Sequence, residues 1–306
     1  MQRRGTGGAT GRVTGRATEG LHDIAPGLDA LPAVEIARHL QLAQADALAS
    51  ISQALPDISA GAQLMAATLR DGGALVYAAA GSSGLMAAAD AMELPGTFGL
   101  APQRIRILMS GGLPTSAEMP GRSEDDVAEA EAAAEIIVPH DLVIAVSASG
   151  STPYTLTVAR AARQRNARTI CLANNRDAPL FDHATLAICL PTPPEVVAGS
   201  TRLGAGTAQK VALNMMSTLM GIALGHVHDG MMVNLRADND KLRQRAVGMV
   251  SRIARVPEDS ARKHLEAASG AVKPAVLLAA GADSPTRAQA ILTDTNGDLR
   301  AALARL

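Results

Sequence analysis

The chain has 306 residues, 47% of them hydrophobic, yet only 1% are aromatic and tryptophan is absent, so its core must be filled by Ala, Leu, Val, Ile and Met. Lys and Arg number 28 against 29 Asp and Glu, a net charge of −1, which argues against nucleic-acid or membrane-surface partners captured by bulk charge. No apolar run reaches the roughly 18 residues of a membrane-spanning helix. The length predicts one main α/β domain with a smaller companion.

The opening MQRRGTGGATGRVTGR is basic and glycine-rich with no apolar signal core. Residues 1–17 therefore read as a disordered extension of a cytoplasmic protein. From Leu31 to Leu69 apolar residues recur at helical spacing, and Pro56 divides the stretch into two helices. The run Ala74 to Ala80 is short, continuous and apolar, as in a strand buried on both faces of a parallel sheet. The pattern recurs from Ile105, Asp141, Ala167 and Leu186, giving five strands. Helices are predicted between them over Leu85–Met92, Glu124–Ile137 and Pro153–Arg165, then from about Thr207 to Gly225 and from about Arg236 to Arg255. Strand, small-residue loop, helix and strand again is the order of a doubly wound parallel sheet.

Residues 18–254 form that main domain in this reading. Residues 255–306 form a small three-helix domain opening at Pro257, suited to docking or dimerisation. Cys171 and Cys189 lie in apolar runs without metal or CxxC spacing and read as buried structural thiols.

Two strand-end loops carry hydroxyls. One is Gly81-Ser82-Ser83-Gly84; the other runs Ser147-Ala148-Ser149-Gly150-Ser151-Thr152 into Pro153. Each alone fits an ordinary turn and helix cap. Two of them at the ends of buried strands point instead to a phosphate held by backbone N–H groups and hydroxyls. Neither has the Walker A or the GxGxxG pattern, so a small phosphorylated ligand fits better than a nucleotide. A third segment, Gly199 to Lys210, adds Ser200, Thr201, Arg202, Gln209 and Lys210. With Thr207 as the helix cap, Lys210 falls in the first turn, where a cation is disfavoured without a ligand-related purpose. His226 and His228, two residues apart, do not share a helical face and read as a helix-end turn rather than a metal pair.

Together these residues resemble the N-acetylmuramic acid 6-phosphate etherase family of the sugar isomerase (SIS) superfamily. The resemblance rests on Thr18-Glu19, LDALP, AGSSG at Ala80, MELPGTFG at Met92, GRSEDD at Gly121 and SASGSTPY at Ser147. It rests above all on GSTRLGAGTAQKVALNMMST from Gly199, and it continues through GHVHDGMMVNLRADNDKL into the C-terminal region. It implies cleavage of the D-lactyl ether of a 6-phosphorylated amino sugar without a metal or redox cofactor, in a homodimer with sites completed across the interface. It places the catalytic pair at Glu93, as the acid on the leaving oxygen, and Glu124, as the base at C2. The apolar surroundings of Glu93 in sequence suggest burial, which would favour its protonated form. The phosphate site falls on Ser82, Ser83, Gly84, Ser147, Ser149, Ser151, Thr152, Ser200, Thr201, Arg202, Gln209 and Lys210. Asn234, Asp238 and Asn239 lie in the matching block, at the dimer or site edge. Leu85, Ser151 and Gly204 stand where the family pattern has cations, so a pocket with weaker charge-assisted bonds is expected. Two other outcomes share the fold: a regulator that binds a sugar phosphate without reacting it, as in the related glucokinase regulatory proteins, and an aldose–ketose isomerase.

Overall fold

The computed structural model describes residues 17–119, 121–235 and 240–306. The extension expected over residues 1–17 lies outside them as far as residue 16, as do Asp238 and Asn239. Five strands, β1 (Leu75–Ala79), β2 (Ile105–Met109), β3 (Leu142–Ser147), β4 (Arg168–Ala173) and β5 (Leu186–Cys189), pair in the order β2-β1-β3-β4-β5. Every pairing is parallel, with Leu75 opposite both Ile105 and Leu142.

Both faces of the sheet are covered, and strand side chains alternate between them. Leu75, Tyr77, Leu142, Ile144, Ile170, Leu172 and Ile188 belong to one core with residues of α2 (Leu55–Arg70), α3 (Gly81–Phe98) and α6 (Gly204–Ala223), and α1 (Ala33–Ser50) packs against α6. Val76, Ala78, Val143, Ala145 and Cys171 face the other way, onto α4 (Val127–Ala133) and α5 (Pro153–Gln164). This period of two inside continuous apolar runs is what burial on both faces produces.

The buried Asp141 ties the amino ends of the strands together. Its carboxylate accepts from the amides of Ala74, at 2.9 Å, and Val138, at 3.1 Å, and from Arg106, at 2.6 Å.

A separate apolar cluster runs from Val233 to Leu303. It joins α7 (Asp240–Ala254) with α8 (Glu258–Ala267), α9 (Val272–Ala279), α10 (Pro285–Asp294) and α11 (Leu299–Leu303). The three helices expected after Arg255 are therefore four, because Val272–Ala279 forms a helix of its own whose Pro274 lies in the first turn. Pro is accepted there because the N–H it lacks has no helical partner.

Three predicted boundaries move. Helix α3 begins at Gly81 and passes through Pro95 to Phe98, closing where the Gly99 amide meets the Pro95 carbonyl at 3.0 Å. Glu124 does not open an α-helix. It lies in the 3-10 turn Gly121–Asp125, and α4 starts after Asp126, whose carboxylate caps the Glu129 amide at 2.9 Å. Helix α6 begins at Gly204 rather than Thr207.

Candidate functional site

In strand order 2-1-3-4-5 the direction of winding reverses between β1 and β3, and ligands of such sheets bind in the crevice outside the carboxyl ends at that point. Those ends carry the two hydroxyl segments. Ser82, Ser83 and Gly84 occupy the first turn of α3; Ser83 and Gly84 are buried and Ser82 half-buried. The capping residue Ala80 offers no side-chain acceptor, so the Gly81–Ser83 amides stand at an open helix end.

The loop after β3 is an internally bonded hydroxyl cluster. Ser147, buried, pairs with Thr152 at 2.9 Å and accepts from the Gly150 amide at 3.0 Å. Ser149 lies 3.4 Å from Ser147 and accepts from the Ser151 hydroxyl at 3.1 Å and the Ser151 amide at 3.2 Å. Ser147 thus shapes the loop, while Ser149, Ser151 and Thr152 are partly open to the crevice.

Glu124 joins this crevice through Gly81. The glycine has φ +53°, and a Cβ there would lie 3.4 Å from the Glu124 carboxyl carbon and collide with its Oε1. Only glycine adopts this backbone without strain and also admits the carboxylate so close. Burial, with Asp125 beside it, raises the Glu124 pKa.

Glu93 stands elsewhere on the same helix. From Gly81 it is about 18 Å of helical rise away, and it is exposed, as is Met92. The burial expected of it is found three residues earlier. Asp90 is 3% exposed and accepts from Tyr77 Oη, Asn214 Nδ2 and Ser217 Oγ, each at 2.8 Å. The apolar run around positions 90 and 93 turns one acid inward and leaves the other on the outer face.

The segment Gly199–Lys210 also departs from expectation. Glu195, buried, accepts from the amides of Gly204 at 2.9 Å and Ala205 at 2.8 Å. A carboxylate of this chain therefore occupies the positive end of α6 that an anionic ligand would use. Gly204, which stands where the family pattern has a lysine, lies in this close-packed corner. A Cβ there would stand 3.1 Å from Ala47 Cβ and 3.2 Å from Glu195 Oε2. Thr207 is no cap; its hydroxyl donates to Gln44 at 2.6 Å.

Lys210 falls in the second turn, exposed, so the inference from a first-turn cation does not hold. Gln209 is fully buried and donates to Asn174 at 2.9 Å at the strand ends, while its Oε1 has no partner among the described residues. Ser200 and Thr201 are half-buried, and Arg202 is exposed.

Sequence reasoning missed Glu195, because a cap nine positions ahead of its helix leaves no local signature. It also missed Asn175. That side chain donates to Thr18 Oγ1 at 3.0 Å and to the carbonyls of Ser149 at 3.2 Å and Ala148 at 3.4 Å, strapping the N-terminal turn onto the hydroxyl loop. Among the described residues no group of three His, Cys, Asp or Glu could hold a metal ion, and no helix is long and apolar enough to cross a membrane.

The five-stranded parallel sheet with hydroxyl loops at its switch point is that of a SIS-domain protein, and the SIS domain family model matches residues 125–219. Among solved structures, a Bacteroides fragilis protein described as a phosphosugar isomerase involved in capsule formation shares the fold. Its TM-score is 0.52 at 19% identity, covering 65% of this chain and 95% of that one. An Escherichia coli CFT073 protein, solved as a ligand complex, superposes with a TM-score of 0.50 at 15% identity, covering 64% and 94%.

Sequence relatives are nearer. The Streptomyces coelicolor N-acetylmuramic acid 6-phosphate etherase is 40% identical over 280 residues, spanning 90% of each chain. The Geobacillus thermodenitrificans etherase is 36% identical over 289 residues, 94% of this chain and 98% of that one. The chain belongs to the N-acetylmuramic acid 6-phosphate etherase family.

Proposed function

We infer that this protein is a carbon–oxygen lyase that cleaves the D-lactyl ether of N-acetylmuramic acid 6-phosphate, releasing N-acetylglucosamine 6-phosphate and D-lactate. One observation carries the reading beyond family membership: the Glu124 carboxylate lies at the mouth of α3, against Gly81 in the hydroxyl segment that follows β1. The sugar phosphate is held there by Ser82, Ser149, Ser151 and Thr152 with the open amides of α3, while Ser83, Gly84 and Ser147 set the backbone. Ser200, Thr201 and Arg202, half-buried or exposed in the segment before α6, are assigned to the same substrate.

In the open-chain aldehyde the C2 proton is acidic. Glu124 removes it, and the electron pair forms the C2–C3 double bond as the C3–O bond to lactate breaks. The leaving oxygen takes a proton from a carboxyl group, Glu93, and water then adds at C3. A base of raised pKa suits this step, because proton transfer works best when the base is poised nearer the working pH.

The exposure of Glu93 favours a homodimer in which one protomer's Glu93 completes its partner's site. Mixing two inactive variants tests this. A dimer of Glu93→Gln with Glu124→Gln regains one intact site if the acid crosses the interface. It regains none if both groups serve their own chain.

The place of action is the cytoplasm, in amino-sugar catabolism and cell-wall recycling. The deciding assay incubates the purified protein with N-acetylmuramic acid 6-phosphate in 18O-water. D-lactate and 18O at C3 of the sugar are expected. Tight phosphosugar binding without lactate would identify a regulator instead. C2 exchange with ketose formation that survives Glu93→Gln would identify an isomerase.

A further inference from the structure

At the amino ends of the strands, opposite the hydroxyl loops, the sheet domain meets the C-terminal helical core. A cavity of about 790 Å³ lies there, with Arg70 from α2, Arg104 ahead of β2, His226 and Asn234 from the segment after α6, and Asn296 from the α10–α11 turn in its wall. A second cavity, of about 390 Å³, shares Asn234 and Asn296 with it and adds Lys273. Among the described residues, no carboxylate lines either one.

The arginines here are not ion-paired among the described residues, although Asp229 and Asp298 line an adjoining cavity with Arg70 and the Asp298 charge acts on Lys273. Neither Arg70 nor Arg104 forms an ion pair with a described residue. Arg104 donates to the carbonyls of Gly73 at 2.6 Å and Leu69 at 2.9 Å, and Arg70 donates to that of Ala223. Capping helix ends explains why the two arginines stand here, but each guanidinium has further donors in its planar fork. Lys273 is buried and meets the Gly297 carbonyl at 2.9 Å. The nearby acids are engaged elsewhere. Asp229 binds Arg300, and Asp298 caps the amides of Arg300 at 2.8 Å and Ala301 at 3.1 Å.

Capping does not account for His226. Its ring lies near the Phe98 carbonyl, and its Nδ1 is buried without a partner among the described residues. Burial and the neighbouring Lys273 charge hold its pKa down at about 4, so the ring is neutral. A neutral imidazole that donates through one nitrogen offers the other as an acceptor. The wall thus combines guanidinium donors, suited to an anion, with a buried acceptor that calls for a hydroxyl.

We propose that this junction cavity is a second ligand site, separate from the crevice, for a small hydroxylated anion: a sugar phosphate monoester or a 2-hydroxy carboxylate. The anionic group binds Arg70 and Arg104, and a hydroxyl donates to His226 Nδ1. Helix α3 reaches from Ser82 in the crevice to Phe98, beside Gly99 in the cavity wall, about 24 Å by helical rise, so the two sites lie at opposite ends of one element.

Calorimetric titration tests the site, using N-acetylglucosamine 6-phosphate in one arm and D-lactate in the other. The probes are wild type, Ser149→Ala, Arg70→Met, His226→Leu and His226→Gln. At least one ligand is expected to bind at a site that Ser149→Ala leaves unchanged and that Arg70→Met and His226→Leu each weaken at least tenfold. His226→Gln, which restores an acceptor, should recover most of that affinity, and the arm that shows the site identifies the anion. Thermal melts establish that each variant is folded, and exposed Arg70 provides a probe that does not disturb a core. The proposal is overturned if neither ligand binds outside the crevice. It is equally overturned if binding there ignores both Arg70→Met and His226→Leu.

Discussion

The carboxylate of Glu124 packs directly against the α-carbon side of Gly81, so the two loops that follow β1 and β2 share one point of contact. Gly81→Ala must either displace Glu124 or strain a backbone at φ +53°. Either response costs about 1–2 kcal/mol. Urea denaturation should show that loss, and lactate release should fall at least tenfold because the base is moved as well.

Replacing Glu124 with Gln should lower kcat by roughly 100-fold to 10,000-fold, the usual contribution of a positioned base, with a much smaller change in KM. The pKa of Glu124 is raised, so the acid limb of the kcat/KM profile should lie above that of an ordinary carboxylate. The linkage has the matching sign. A carboxyl whose folded pKa exceeds its unfolded value stabilises the fold at low pH, and that contribution is lost as pH rises through the folded value. Glu124→Gln should therefore remove part of the decline in stability above pH 4.5. Denaturant midpoints measured across that range check it.

Glu195 closes the amino end of α6 with two amide bonds. Glu195→Ala should destabilise the protein by about 1–2 kcal/mol, the usual cost of a lost cap. Hydrogen exchange should quicken at the Gly204 and Ala205 amides. A melt within error of wild type would remove the capping role.

Lys273 is a buried cation whose pKa is lowered to about 8 from 10.5, chiefly by burial. Between those values the unfolded chain binds more protons than the folded one, so stability should rise with pH across that interval. Lys273→Met should flatten the rise. Guanidine titrations of both proteins at pH values of about 7.5, 8.5 and 9.5 give the comparison, and equal slopes would refute it.

Asp90 ties β1, α3 and α6 together through Tyr77, Asn214 and Ser217. Asp90→Ala strands the buried Tyr77 and Ser217 hydroxyls and the half-buried Asn214 amide, and should cost about 3 kcal/mol. Asp90→Asn keeps one acceptor oxygen and should cost less. Thermal melts of the pair separate loss of the network from loss of the charge.

Much of this protein was decided by the sequence alone. Continuous apolar runs such as Leu75–Ala79 and Leu142–Ser147 specify strands covered on both faces, and small-residue loops specify the turns into helices. The GSTR block with its neighbours carries the family. Those signals are local, set by backbone sterics and by the periodicity of apolar side chains. The tertiary structure decided which acid lies where. Asp90 and Glu93 sit in the same apolar stretch, and only the packing of α3 against β1 and α6 turns the first inward and leaves the second exposed. Glu124 meets Gly81, and Glu195 meets Gly204, across loops whose paths depend on the whole sheet. Burial, charge and hydrogen bonding of a carboxylate are properties of its spatial neighbours, and those are assembled from segments that lie apart in the chain.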